Sequence, residues 1–248
     1  MNRPPPDVAL DLAIRPQPDD TTCGPTCLHA IYRWFGDPLP LSQVIAETAT
    51  LDSGGTLDVF LANHALRRGY RACIYTYNLS VFDPTWFTTP GVDVAERLRL
   101  QAAEKPASRL QAATRGYLEF LELGGGLKFE DLTASLLRRL LRRRLPVLTG
   151  LSATYLYRDA REHGPEDLPD DIRGEPAGHF VLLTGYQRAS RQVFVADPME
   201  QNPVAPGQRY AVGIDRLICS ILLGIVTYDA NLLVIEPARS ARGSGSPG

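Results

Sequence analysis

Cys23 stands in the run Thr22-Cys23-Gly24-Pro25-Thr26-Cys27, with Gln17 six positions upstream and with Gly178-His179-Phe180 and Asp197-Pro198 far downstream. Thiol-based nucleophilic catalysis needs residues of these kinds. It requires a cysteine, a base within hydrogen-bond reach, a third group that fixes the base's tautomer, and a donor for the oxyanion on the attacked carbonyl. The thiolate is the reactive form, and a helix N-terminus favours it through unpaired backbone N–H groups and the positive end of the helix dipole. Such a helix is predicted here: positions 28–35 are apolar at helical spacing and stop at Gly36. Pro25 suits a first helical turn, where its missing N–H costs nothing. Cys23 is therefore expected at or just before a helix N-terminus.

Four histidines compete for the role of base. His29 follows Cys23 by six residues on the same helix, almost two turns away, and cannot readily turn back to the thiol. His64 falls in a helical stretch, and His163 in a charged, Pro-containing segment that reads as loop. His179 opens the run Phe180-Val181-Leu182-Leu183-Thr184-Gly185-Tyr186, an apolar strand that would hold it rigidly. A second strand, 192–196, follows a short polar turn, and a hairpin centred near residue 188 would set position 179 opposite 197. Taken alone, Cys23 would more often be a small core residue, and Asp197-Pro198 a strand-ending turn. The four together favour chemistry. Cys27, one turn beyond Cys23, reads as core, and a zinc pair with Cys23 lacks a second close-spaced Cys or His pair.

These motifs, joined by Gly55-Thr56-Leu57, Arg68-Gly69-Tyr70, Leu145-Pro146-Val147-Leu148 and Val195-Ala196-Asp197-Pro198, follow one order over most of residues 10 to 200. The chain thereby resembles the papain-like cysteine peptidases of the bacteriocin-processing (double-glycine leader peptidase) family. The family often carries Asp just before the cysteine, where this chain has Thr22. The resemblance implies a papain-like α+β fold, a helical lobe packed on an antiparallel sheet. It makes Cys23 the nucleophile, His179 the general base, Asp197 the residue orienting the imidazole and Gln17 an oxyanion-hole donor. A peptide or protein substrate follows, a leader or small peptide among the possibilities. The scheme needs no metal and no organic cofactor. The same acyl-enzyme intercepted by an amine or thiol would make an acyltransferase or amidase. A non-catalytic peptide-binding module is a third reading, against which the complete Gln, Cys, His and Asp set argues.

At 248 residues and 44% hydrophobic content the chain can bury a full core. A formal net charge of −2 gives no reason to expect a nucleic-acid partner. Four cysteines make no disulfide framework, and a working thiol suits a reducing, cytoplasmic setting. The N-terminus lacks the apolar segment of a secretory signal, and no stretch approaches the roughly 20 apolar residues of a membrane span.

The expected domain runs from 13 to 237, after an N-terminal extension at 1–12 and before a disordered Gly, Ser and Pro rich tail at 238–248. Helices are predicted at 26–35, 41–48 and 57–68, and a strand at 70–77. Residues 84–128 read as a helical insertion with helices at 94–103 and 107–123. It would cover the cleft or dock a partner protein, or simply complete the first lobe's core. A helix over 129–144 carries five arginines that read as a solvated face, since its leucines recur at helical spacing. A strand at 145–151 follows, then an acidic loop at 157–177 that could select a basic substrate segment. After Asp197 come a strand at 210–212, a helix at 214–222 and a strand at 232–235.

Overall fold

A computed structural model describes residues 7–52 and 54–238. The chain opens with β1 (Val8–Ala9), α1 (Cys23–Trp34), α2 (Leu41–Glu47), α3 (Asp58–Arg67) and β2 (Tyr70–Thr76). Next come α4 (Thr85–Thr88), α5 (Val94–Glu104), α6 (Ser108–Glu122), β3 (Gly126–Lys128), α7 (Ala134–Leu141), β4 (Val147–Ser152) and α8 (Ala153–Tyr157). A small hairpin of β5 (Glu162–His163) and β6 (Leu168–Pro169) leads to β7 (Gly178–Gln187) and β8 (Gln192–Ala196). The described chain closes with β9 (Arg209–Gly213), α9 (Ile214–Leu223), a 3-10 turn (Gly224–Thr227) and β10 (Asn231–Pro237).

One sheet organises the molecule, in the order β3-β2-β10-β4-β7-β8-β9, with β1 joined to β7 where β4 ends. All its pairs are antiparallel except β2 with β3. Both faces are covered. Phe180 and Leu182 of β7 pack with Leu28, Ile31, Leu61 and Tyr117 from α1, α3 and α6. Val181 and Leu183 pack on the other side with Leu137 and Leu140 of α7 and Leu217 and Ile221 of α9. A strand buried on both faces needs apolar residues at successive positions rather than alternate ones, which is why β7 reads as a continuous apolar run. Among the described residues, no helix is long and apolar enough to cross a membrane.

The contacts place several of the remaining segments. The 84–128 insertion builds the first lobe: Leu98, Leu110, Ala113, Tyr117 and Phe120 lie in the same core as α1 and α3. Asn63 Nδ2 of α3 donates to the Gly116 carbonyl of α6 at 3.0 Å. A Cβ on Gly116 would fall 2.7 Å from the Phe60 ring, so this glycine permits the helices' close approach. The described part of the 1–12 extension belongs to the domain: β1 pairs with β7, and Val8, Leu10 and Leu12 are buried. The helix expected over 129–144 is confined to Ala134–Leu141 and starts at Thr133, whose side chain accepts from Leu136 N–H. Ahead of it, 126–128 forms an edge strand instead, added to β2. Its arginines face outward to local partners: Arg139 to Glu130, Arg142 to the Tyr186 hydroxyl, and Arg143 to Glu236. The acidic loop at 157–177 is partly ordered by the β5–β6 hairpin, and Asp170 is spent on Ile172 N–H, Arg173 N–H and the Arg173 guanidinium. The disordered tail expected at 238–248 lies, from 239 on, outside the described residues, as do 1–6.

Candidate active site

Cys23 is the first residue of α1 and is buried. Thr22, just before it, places no side-chain cap on the helix, and no acidic residue occupies the first turn. The positive end of the helix therefore has no internal anion to satisfy it, and Cys23 is the side chain placed at that end. Gly24 lets the helix start press into the fold, since a Cβ there would meet Thr56 Cγ2 at 2.7 Å, Leu61 Cδ1 at 3.1 Å and Phe180 Cδ2 at 3.3 Å. The close fit fixes Cys23 against β7.

His179 is the second residue of β7, opposite Leu151 of β4. Its Nε2 lies 2.9 Å from Asp197 Oδ1. The other ring nitrogen is left for the thiol, and Cys23 is near enough to act on the ring's charge. Burial works against a charged imidazole, but the bond to Asp197 and the neighbouring Cys23 outweigh it and push His179 up to about 10. The expected face-to-face pairing of 179 with 197 does not occur. The hairpin turns at 188–191 and pairs Leu182 with Ala196, and continuing that register sets Asp197 opposite Val181. His179 and Asp197 are diagonal neighbours on one face, a spacing of roughly 7–8 Å between Cα atoms that two such side chains can bridge.

Asp197 is completely buried. Its Oδ1 accepts from His179 and from the Met199 N–H at 2.9 Å. Its Oδ2 accepts from Tyr157 Oη at 2.6 Å, Tyr210 Oη at 2.8 Å and Asn202 Nδ2 at 2.8 Å. Burial alone would raise its pKa, but the His179 hydrogen bond and charge, then the Tyr157 and Met199 bonds, hold it below the ordinary value. Burial and the Asp197 charge push both tyrosines upward, so their hydroxyls remain protonated donors. Tyr157 ends α8, Tyr210 lies on β9 and Asn202 in the connection between β8 and β9. Sequence reasoning named none of the three. A tyrosine inside an otherwise apolar strand, as at 210, is the one local signal, because a buried hydroxyl must find a partner.

Gln17 is joined to the same region by its backbone: its N–H donates to the Pro198 carbonyl at 2.9 Å. Its side-chain Nε2 donates to the Asp19 carbonyl at 3.0 Å, and Oε1 is buried without a partner. Neither amide atom bonds to Cys23. Cys27 is fully buried, with its thiol donating to the Phe180 carbonyl at 3.4 Å, and burial pushes its pKa well up. His64 bridges Tyr32 Oη at 2.7 Å and Glu47 Oε2 at 3.1 Å, and His163 is exposed on β5.

A feature that sequence reasoning missed lies beside the dyad. Asp229 and Asp58 are buried, and each is pushed up to about 7, by burial first in both cases and for Asp58 also by the Asp229 charge. A Cβ on Gly178 would meet Asp229 Oδ2 at 2.5 Å and Thr227 Oγ1 at 2.8 Å, so Gly178 makes room for this carboxyl next to His179. The fully buried Asn231 side chain faces Asp58 and opposes that rise.

No protein-family model and no curated protein matches the chain. Among solved structures, a protein of Bacillus anthracis described as C39-like peptidase aligns with a TM-score of 0.51 at 13% identity, covering 93% of this chain and 98% of that one. The fold is the papain-like α+β fold of a C39-like peptidase. A double glycine motif protease from an AMS/PCAT transporter, in complex with the leader peptide, aligns with a TM-score of 0.44 at 11% identity over 94% of this chain and 96% of that one. Xylellain, a cysteine protease from Xylella fastidiosa, aligns with a TM-score of 0.44 at 15% identity over 95% and 87%. At those scores neither carries weight beyond the first.

Proposed function

We infer that this chain is a cysteine peptidase. The observation that carries the reading is the juxtaposition of Cys23, at an uncapped helix start, with an imidazole whose far nitrogen is held by a buried, multiply hydrogen-bonded Asp197. The reacting form pairs the His179 imidazolium with the Cys23 thiolate. Sulfur attacks the carbonyl carbon of a peptide bond, and the carbonyl π pair moves to oxygen. The backbone N–H groups at the start of α1 stabilise that oxyanion. Gln17 assists if its amide turns over, placing Nε2 where the unpartnered Oε1 now sits. His179 then gives its proton to the leaving amine as the C–N bond breaks. The now neutral imidazole takes a proton from water, and the hydroxide formed at the acyl carbon releases the thiolate. Asp197 keeps the ring in the one tautomer and orientation that serve both steps.

The motif order favours leader or small peptides as the substrates to try first. The test is alkylation by limiting iodoacetamide, read by peptide mass mapping, beside the His179→Ala variant. Near pH 6, Cys23 is expected to react far faster than Cys27, Cys73 and Cys219, and to lose that advantage in the variant. A peptide library then defines cleavage. Equal reactivity of Cys23 in both proteins would sink the catalytic reading.

A further inference from the structure

Between α1, α2 and the segment leading to Gln17 lies a cavity of about 800 Å³. His29, Arg15 and Arg33 line it, facing a wall formed by 38–41 and Ile45. Two arginines so close together repel one another and ordinarily recruit carboxylates. Among the described residues, neither the Arg15 nor the Arg33 guanidinium has an ion pair or hydrogen bond, although elsewhere on this surface arginines do, as Arg68 does with Asp37. His29 is 97% buried, being 3% exposed, and its Nδ1 has no partner. A buried polar atom left unpaired is costly, and a ligand group reaching it from the cavity would offset that cost. Burial first, and then the two guanidiniums, also hold His29 below its ordinary pKa.

We propose that this cavity binds an organic carboxylate, its anionic head between Arg15, Arg33 and His29 and its apolar body along 38–41 and Ile45. Planar guanidinium forks match a carboxylate in two-point contacts. The largely apolar remainder of the wall favours an anion carrying a hydrocarbon body over a bare inorganic one. The same chemistry is offered by the free C-terminus of an apolar peptide and by a medium-chain fatty acid. None of Cys23, His179 and Asp197 lines the cavity. Arg15 and Pro18, which also lines it, flank Gln17, so an occupant would rest against the loop that bears that residue.

The experiment is calorimetric titration of the full chain with octanoate, with an N-acetylated Val-Leu-Ile peptide as free acid and as C-terminal amide, with octylamine, and with inorganic phosphate. At least one of the two carboxylates is expected to bind at one per chain, and the amide and octylamine not to bind. Arg15→Gln and Arg33→Gln, both at exposed positions and therefore expected to fold, should each weaken binding by roughly tenfold or more, the value of a charge-assisted hydrogen bond. Tighter binding of the peptide acid than of octanoate assigns the site to a peptide C-terminus, and the reverse order to a fatty acid. Failure of both carboxylates to bind at one per chain, binding of phosphate as tight as either, or unchanged affinity in both arginine variants would overturn the proposal.

Discussion

Asp229→Asn isolates the cost of the buried carboxyl beside His179. Asp229 is held at about 7 against an ordinary 3.8, by burial first and against the opposing pull of Thr227, the Arg109 guanidinium and His179. A carboxyl whose folded pKa is raised binds its proton more tightly when folded, so it subtracts from stability as pH rises from its unfolded value through its folded one. With ~1.4 kcal/mol for each tenfold change in proton affinity, the cost is about 2 kcal/mol at pH 5 and about 4 kcal/mol at pH 8. Asparagine keeps the shape and has no charge to bury. It also lightens the burden on Asp58, which the Asp229 charge helps to raise. Whatever the substitution costs in hydrogen bonds is common to both pH values and cancels in the comparison. The variant should therefore gain about 2–3 kcal/mol on the wild type between pH 5 and pH 8, or roughly 5–10 °C in Tm for a chain of this size. Urea and thermal unfolding of both proteins at the two pH values measure it. A stability difference that is the same at pH 5 and pH 8 would refute the account of Asp229 as a buried acid without a full counter-charge.

Asp197→Asn should lower kcat/KM by about 10²–10⁴, because the amide no longer enforces the tautomer that leaves a proton acceptor toward the thiol. The check is turnover together with a circular dichroism spectrum unchanged from wild type. Tyr210→Phe removes one donor to a buried carboxylate and should cost about 1.5–3 kcal/mol in urea unfolding. His179 should remain protonated at pH 8 and titrate near 10 rather than 6.5 by imidazole NMR, since burial is outweighed by Asp197 and Cys23. Its contribution to stability should be complete below about 6.5 and fade as pH rises toward 10.

The parts of this molecule that were legible in sequence are those whose cause is local. Helix α1 follows from apolar spacing closed by Gly36, and β7 and β8 from apolar runs around a polar turn; Cys23, His179 and Asp197 stand at the ends of these three elements. What could not be read depends on tertiary contact. Nothing local to Tyr157, Asn202 or Tyr210 announces that all three point at one carboxylate, because they arrive from different elements. Strand β3 is a three-residue edge that exists because β2 offers it a partner. The insertion at 84–128 looked long enough to be a lid, yet Gly116 and Asn63 reveal a close helix contact that amphipathic periodicity cannot distinguish from any other. Asp58 at the start of α3 reads as an ordinary acid favoured by a helix dipole, and only the fold reveals that it is buried near a second carboxyl.

The face on which His179 lies is decided several residues away, by an irregularity at Thr184. From the turn, Gln187 pairs with Gln192, Tyr186 with Val193 and Gly185 with Phe194, after which Leu183 pairs with Val195 and Thr184 is the extra residue. Tyr186 faces the same core as Val193 and Val195, and beyond the bulge so do Leu183 and Val181. The face of β7 thus passes from even to odd positions at Thr184. Were Thr184 paired in the ladder rather than absorbed, the odd positions would turn to the core around α1, and His179 would be separated from Asp197 by the sheet. Two variants separate this from a general disturbance. Deleting Thr184 removes the extra residue and keeps 179 on the face of 197, at the cost of the bonds its carbonyl accepts from Leu10 N–H and its hydroxyl donates to the Phe194 carbonyl. Inserting one alanine after Thr184 adds a second extra residue that the ladder has no bulge to absorb. The deletion should retain fast alkylation of Cys23 despite lower stability, whereas the insertion should abolish it while the circular dichroism spectrum stays that of a folded α+β protein. Equal reactivity of Cys23 in a folded insertion variant would show that the bulge does not set the dyad.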